Sequence, residues 1–258
     1  MRSWALLLEY DGTPYVGWQR QATGLSIQAV LEDACARLNR GERVAATAAG
    51  RTDAGVHAVG QVVQIALPDR YRPDQMRDAL NFHLKPHPIV VLQAASADAG
   101  WSPRFDAVQR AYSYQILNRR ARPALALHRA WHAERLLDEA TMANAASLLV
   151  GRHDFTSFRA SACQAKSPIR TLDRLDVTRA GDTLTITAVA RSFLHHQVRN
   201  IVGTLKLVGE GRWPAEQART ALEARDRRMA GPTAPADGLT FISVHYVPDP
   251  FGPGRGAS

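Results

Sequence analysis

The chain has 258 residues, 45 % apolar and 22 % charged, which suits one large domain or two fused halves with a real core. Its formal net charge is +8 and its isoelectric point about 10.1, with arginine carrying most of the excess; an arginine fork pairs with phosphate and stacks on bases, so the charge leans toward nucleic acid, or reflects a GC-rich gene. Two cysteines outside any Cys-x-x-Cys pair, Cys35 and Cys163, argue against a zinc cage or a disulfide framework, and no apolar run approaches bilayer length.

The opening stretch MRSWALLLEYDG reaches Glu9 and Asp11 at once and lacks the shape of a signal peptide, so a cytoplasmic enzyme or binding protein is expected. Ser3 to Tyr10 predicts a strand, followed by the polar loop DGTPYVGWQRQATGLS. Ser26 is the expected N-cap of a helix with the stripe Ile27, Val30, Leu31, Ala34 and Leu38. Arg43 to Ala49 predicts a strand, and His57 to Leu67 another, alternating Val59, Gln61, Val63, Ile65. Pro73 opens a helix to about His83, and Pro88 to Ala95 closes the series as a strand.

The second half repeats that order. Arg110 to Asn118 predicts a strand and Leu136 to Val150 a helix closed by Gly151. Arg170 to Thr178 and Leu184 to Ser192 predict a hairpin around Ala180-Gly181-Asp182. Leu194 to Val208 predicts a helix, Pro214 starts one more, and Leu239 to Val247 predicts a closing strand. Two β-α-β-β-α-β runs predict an α/β (α+β) fold of two ferredoxin-like halves, residues 1–105 and 106–248, with a mostly antiparallel sheet and a central active-site cleft. The Gly- and Pro-rich end, residues 249–258, is expected to be mobile.

Four stretches hold groups capable of chemistry. In GRTDAGVHAVGQVVQI, Asp53 is a lone acid on a bend between two strands; it is a turn cap, or a nucleophile or base. In RSFLHHQVRN, His195 and His196 are adjacent and diverge on a helix, so a shared metal ion is not expected, while Arg199 lies one turn from His195. It is a solvated flank or a partner for a carboxylate or phosphate. In QRAYSYQILN, Tyr112 and Tyr114 share a strand face, as core or as a stacking platform for a base. GRHDFTSFRA holds His153, Asp154 and Ser157 but no nucleophile elbow, and no phosphate-binding glycine loop occurs.

Taken together, YDGTPYVGWQRQ, SIQAVLEDA, GRTDAGVHAVGQVV, FDAVQRAYSYQI, LLVGRHDFTSF, RSFLHHQVRNIVGTL and APADGLTF resemble, in order, the tRNA pseudouridine synthase A family. GRTDAGVHA is the most specific of these motifs. The resemblance implies conversion of uridine to pseudouridine in the anticodon arm of tRNA, at positions 38 to 40, with no cofactor and no metal. It assigns Asp53 as the essential aspartate, nucleophile or base. Arg199 matches its basic partner, and a guanidinium beside a carboxylate favours the charged form. Tyr112 matches the tyrosine that stacks on the target base. Arg51 is a candidate to fill the space of a flipped nucleotide, and Leu239 to pack on the flipped uracil. The family is a homodimer in which one tRNA touches both chains. Many members carry a basic residue where this chain has Ala111, with Arg110 a candidate substitute at a phosphate. An arginine surface predicts salt-sensitive tRNA binding. A silent RNA-binding module of the same fold and a histidine-metal hydrolase are the competing classes.

Overall fold

The computed structural model describes residues 1–98 and 100–252. The chain divides into two compact units, Met1–Val108 with Phe241–Ser258, and Gln109–Thr240. Ten strands and five α-helices occur among the described residues, and their pairing is mostly antiparallel, an α+β fold.

In the first unit the order is β1 (Arg2–Tyr10), α1 (Ile27–Leu38), β2 (Thr47–Ala48), β3 (His57–Leu67), α2 (Pro73–Leu84) and β4 (Ile89–Ser96). β1 is central, antiparallel to β3 on one side and β4 on the other, and β2 adds to β3. This β4-β1-β3-β2 arrangement is ferredoxin-like. Alternation buries Trp4, Leu6 and Leu8 completely, and the helices bury Ile27, Leu31, Met76 and Leu80 likewise. Ser26 caps α1 as its sequence requires, its hydroxyl accepting from the Ala29 amide at 3.2 Å.

The strand expected over 43–49 shrinks to Thr47–Ala48. Side chains of α1 satisfy the backbone there instead. Glu32 accepts from the Ala46 amide at 3.2 Å and Gln28 donates to the Ala46 carbonyl at 3.1 Å. Glu32 is 1 % exposed and also takes Arg20 and Arg43, so the approach to β2 is fastened by a buried carboxylate rather than a ladder.

The second unit holds most of β5 (Ala107–Asn118), then β6 (Trp131–Ala133), α3 (Glu139–Ser147), β7 (Gly151–Asp154), β8 (Ile169–Ala180), β9 (Thr183–Ala190), α4 (Gln197–Gly209) and α5 (Gln217–Ala224). β5, β9, β8 and β7 are successive antiparallel neighbours, and β6 runs parallel to β5. The β8–β9 hairpin turns where expected, with Gly181 at φ +57°. Three expectations shift. α3 starts at Glu139, because Asp138 caps it through the Thr141 amide at 3.0 Å. It ends before Gly151, which at φ +114° opens β7 rather than closing a helix. α4 starts at Gln197, because His196 is left-handed at φ +63° and Gln197 accepts from the Leu194 amide at 2.8 Å.

The last strand, β10 (Leu239–Tyr246), leaves the second unit after Thr240, and Phe241 onward packs in the first. There β10 neighbours β3, and it comes so close that a Cβ on Gly60 would lie 2.0 Å from the Ile242 carbonyl oxygen. The division by sequence, at residues 105 and 248, therefore differs from the division by packing. Asp249 to Gly252 are held, where composition predicts mobility: Phe251 packs on the cluster of Ala49, Val62, Ala107 and Tyr246, and the Phe251 carbonyl accepts from Gln93. The rest of the expected tail, 253–258, lies outside the described residues.

Candidate active site

Asp53 stands on the loop between β2 and β3, and the loop is fixed from beneath. Thr52 is the anchor, 6 % exposed. Its hydroxyl pairs with the Tyr10 hydroxyl at 2.8 Å, and its carbonyl accepts from the Trp18 amide at 3.0 Å. The Trp18 and Gly17 carbonyls in turn accept from Gln28 and Ile27, two first-turn amides of α1 that no helical bond could satisfy. The helix start, the 12–18 loop and the Asp53 loop are thus one hydrogen-bonded assembly. Behind Asp53, the Gly50 carbonyl accepts from Gln61 at 2.7 Å. Ahead of it, Val56 N–H donates to the Asp53 carbonyl at 3.2 Å, and Gly55 takes φ +80°.

Two glycines let the 12–18 loop touch this bend. A Cβ on Gly12 would lie 2.0 Å from the Val56 carbonyl oxygen, and one on Gly17 2.8 Å from that of Thr52. The Gly12 amide donates to His57 Nδ1 at 3.1 Å. Burial pushes the Tyr10 hydroxyl up to about 12, the Thr52 and Gln61 contacts opposing, so Tyr10 remains a neutral hydrogen-bonding post. The loop residues alternate about this anchor: Thr52 is buried, Asp53 half-buried, Arg51 and Ala54 exposed. Arg51 and Asp53 share one loop, with Arg51 toward solvent.

The other candidate residues belong to the second unit, around the segment 231–239. Arg199 Nε donates to the Ala234 carbonyl at 2.8 Å, and the Ala234 amide donates back to the Arg199 carbonyl at 3.1 Å. Gly203, one turn on, accepts the segment at close range: a Cβ there would lie 1.7 Å from the Pro232 carbonyl oxygen. Asn200 binds Thr233 and Arg227 through its carbonyl and donates to the Phe158 carbonyl at 2.8 Å. Tyr114 donates to the Pro235 carbonyl at 2.9 Å. Its hydroxyl is pushed up by burial, with Arg199 opposing and Asp237 reinforcing. Gly238 sits where a Cβ would meet the Tyr114 ring at 2.7 Å. Leu239 follows, 6 % exposed, its amide closing a turn on Ala236 at 2.8 Å.

Tyr112 lies two residues before Tyr114 on the same face of β5, 8 % exposed, with Phe193 edge-on at 5.1 Å between ring centres and 88° between planes. The 234–238 segment is thus strapped between Arg199 of α4 and Tyr114 of β5 and leads into Leu239, while Tyr112 on the same strand packs against Phe193. The sequence did not single out Phe193, Thr52 or Asn200. Their signal lies in contacts across the fold, and only the glycines of DGTPYVG and MAGPTAPADG hint that backbone must approach backbone there.

The structure departs from the sequence expectation at His195 and at Arg110. His195 is not one helical turn from Arg199, because the helix begins at Gln197; the left-handed His196 brings the two imidazoles to 4.0 Å between centres rather than splaying them. Arg110 is 7 % exposed and donates to the Arg191 carbonyl, so it does not replace a surface cation at Ala111.

The sequence profile described as tRNA pseudouridine synthase matches residues 7–106 and 145–247. A tRNA pseudouridine synthase A of Acidiphilium cryptum is 62 % identical over 97 % of this chain and 99 % of its own length. Those of Paramagnetospirillum magneticum and Agrobacterium fabrum are 57 % and 52 % identical, over 95 % and 99 % of this chain and 96 % of each relative. No helix among the described residues is long and apolar enough to cross a membrane. With the motif-bearing loops placed and both matched segments spanning most of the sequence, the chain belongs to the tRNA pseudouridine synthase family, and pseudouridine synthases are isomerases.

Proposed function

We propose that this enzyme isomerises uridine to pseudouridine at positions 38 to 40 of the anticodon stem-loop of tRNA, with Asp53 as the catalytic residue. The observation that carries the reading is the bracing of Asp53. A single half-buried carboxylate stands on a loop held by Thr52, Trp18 and the start of α1. Preorganised placement of one reacting group is what a unimolecular rearrangement needs. The reaction consumes no water: the bond from ribose C1′ to N1 breaks, a bond from C1′ to C5 forms, the C5 proton goes to solvent and N1 gains one. A second carboxylate to activate water has no part in that balance, in contrast to glycoside hydrolysis.

In this reading Asp53 attacks the ribose or the base, or removes a proton. Tyr112 stacks on the target base, Arg199 supplies positive charge at the site, and Leu239 packs on the uracil. A stem uridine has to leave its stack first, and Arg51, exposed beside Asp53, fills the gap. The enzyme works in the cytoplasm as a homodimer whose two chains share one tRNA. The net charge of +8 supports a polyanionic substrate.

The test is tritium release from tRNA carrying uridine labelled at C5, with wild type beside Asp53→Asn and with uridines 38 to 40 replaced in turn. Release by wild type alone, lost when the target uridine is replaced, is expected. Equal release by Asp53→Asn would remove Asp53 from the chemistry, and release from tRNA lacking uridine at 38 to 40 would move the target elsewhere.

A further inference from the structure

Between β5 and β6 the chain runs out as NRRARPALALHRAW, residues 118–131, and the functional reading uses none of it. Four arginines stand at 119, 120, 122 and 129, and no acid occurs before Glu134. Arg119 is occupied: it meets Asp182 at 3.4 Å and donates to the Ala121 carbonyl. Arg120 and Arg122 are exposed, and no carboxylate among the described residues pairs with either. The tip is apolar and in water, with Leu125 fully exposed and Leu127 54 % exposed. Two exposed leucines and two guanidinium groups on one short tip make a mixed apolar and cationic patch, the kind of surface that marks a binding site.

The segment is shaped, not frayed. Leu127 and Arg129 amides donate to the Ala124 and Ala126 carbonyls, a tight double turn with His128 at φ +58°. Its base is fixed by His132, whose ring meets the Arg119 carbonyl at 2.8 Å, and by the parallel pairing of β6 on β5. On one side His128 Nδ1 lies 3.7 Å from Asp237 Oδ2, on the segment that leads into Leu239. The arm is thus tied to the same strap that holds Arg199.

We propose that residues 119–129 form an RNA-docking arm, in which Arg120 and Arg122 grip successive phosphates of the sugar–phosphate backbone and Leu125 lies against an unstacked base or ribose. Charge chooses the partner: two exposed guanidinium groups with an apolar tip complement a polyanion that also offers flat apolar faces. The proposal rests on tRNA being the substrate. It adds a positioning element for the RNA and no new chemistry.

The experiment measures binding of a tRNA transcript by fluorescence anisotropy across a salt series, for wild type, Arg120→Ala/Arg122→Ala, Arg120→Lys/Arg122→Lys and Leu125→Ser. The double alanine variant is expected to lose about tenfold in affinity at low salt, with the salt slope reduced by about 2. The lysine pair restores the slope, since charge is kept, but only part of the affinity, since the fork is lost. Single-turnover tritium release at saturating tRNA stays within about twofold of wild type, as expected when a removed contact served binding alone. Unchanged affinity and slope in the alanine variant would overturn the arm. So would a shift of Arg120→Ala/Arg122→Ala or Leu125→Ser to a smaller species in sedimentation with tRNA affinity per chain intact, which would make the tip a contact between copies of the chain. If wild type binds tRNA yet releases no tritium, the enzymatic reading falls while the salt series still decides the arm.

Discussion

Gly12→Ala tests whether the 12–18 loop positions Asp53. Gly12 does not have a positive φ, so alanine brings no backbone strain of its own, and the perturbation is one methyl group. That methyl would lie 2.0 Å from the Val56 oxygen and 2.5 Å from its carbon, where ordinary contact begins at 3.4 Å. One backbone must retreat by about 1.4 Å, the shortfall between those distances. Val56 closes the turn on the Asp53 carbonyl, and Thr52 anchors the other side, so the shift falls on Asp53. Overpacking of this kind costs about 1–3 kcal/mol in stability, and a displacement near 1 Å at a reacting group costs about 100-fold in rate. The expected outcome is a folded enzyme that binds tRNA within about threefold of wild type and releases C5 tritium about 100-fold more slowly in single turnover. Leu80→Ala is the control. It opens the core under α2, far in sequence from the loop, and costs about 2–5 kcal/mol. A normal rate for Gly12→Ala, or an equal loss in Leu80→Ala, would refute the idea that this contact sets the aspartate.

Thr52→Val keeps the shape of the anchor and deletes its hydroxyl, leaving the buried Tyr10 hydroxyl, among the described residues, with Gln61 alone at 3.5 Å; thermal unfolding should register a loss of about 1–3 kcal/mol. Asn200→Ala removes the contacts to Phe158, Thr233 and Arg227 at once and should cost about 3 kcal/mol or more, with a faster proteolytic cut within 227–236 than in wild type. Burial raises Tyr10 from 10.0 and Cys35 from 9.0, each to about 12, with the Glu32 charge adding to the effect at Cys35. The folded state therefore holds these protons more tightly than the unfolded chain. The stability they contribute is whole below about pH 9 and drains as pH climbs toward 12. Urea unfolding at pH 8, 9.5 and 11 should show that decline, and Cys35→Ala should make it shallower; an identical slope in Cys35→Ala would refute its share.

Strong local patterns made most elements legible. The β3 alternation placed that strand with its observed ends, Pro73 placed the start of α2, and Ser26 marked the first turn of α1 to the residue. Boundaries failed where a side chain from elsewhere replaced a ladder bond, as Glu32 and Gln28 do at Ala46, or where one left-handed residue cut a helix short, as His196 does. Asp53 was legible as an odd acid, but not its support: Tyr10 and Thr52 are 42 positions apart, and no spacing rule joins them. Phe193 against Tyr112 is hidden in the same way, two aromatic residues that meet only through pairing of β5 with β9 and the bend after it.

The return of β10 to β3 has a consequence for synthesis. The partner of β3, Phe241 onward, is translated only after the whole of Gln109–Thr240 has been made. At about 5–20 residues per second, the first unit waits on the order of ten seconds on the ribosome with the stretch of the β3 edge that β2 does not cover unmatched. An unmatched edge is a template for joining other chains, so nascent chains on one messenger are at their stickiest during that interval. A stop codon just before Phe241 would make the interval permanent: it would spare every residue of the Asp53 loop, yet its main effect would be aggregation rather than loss of an active-site group.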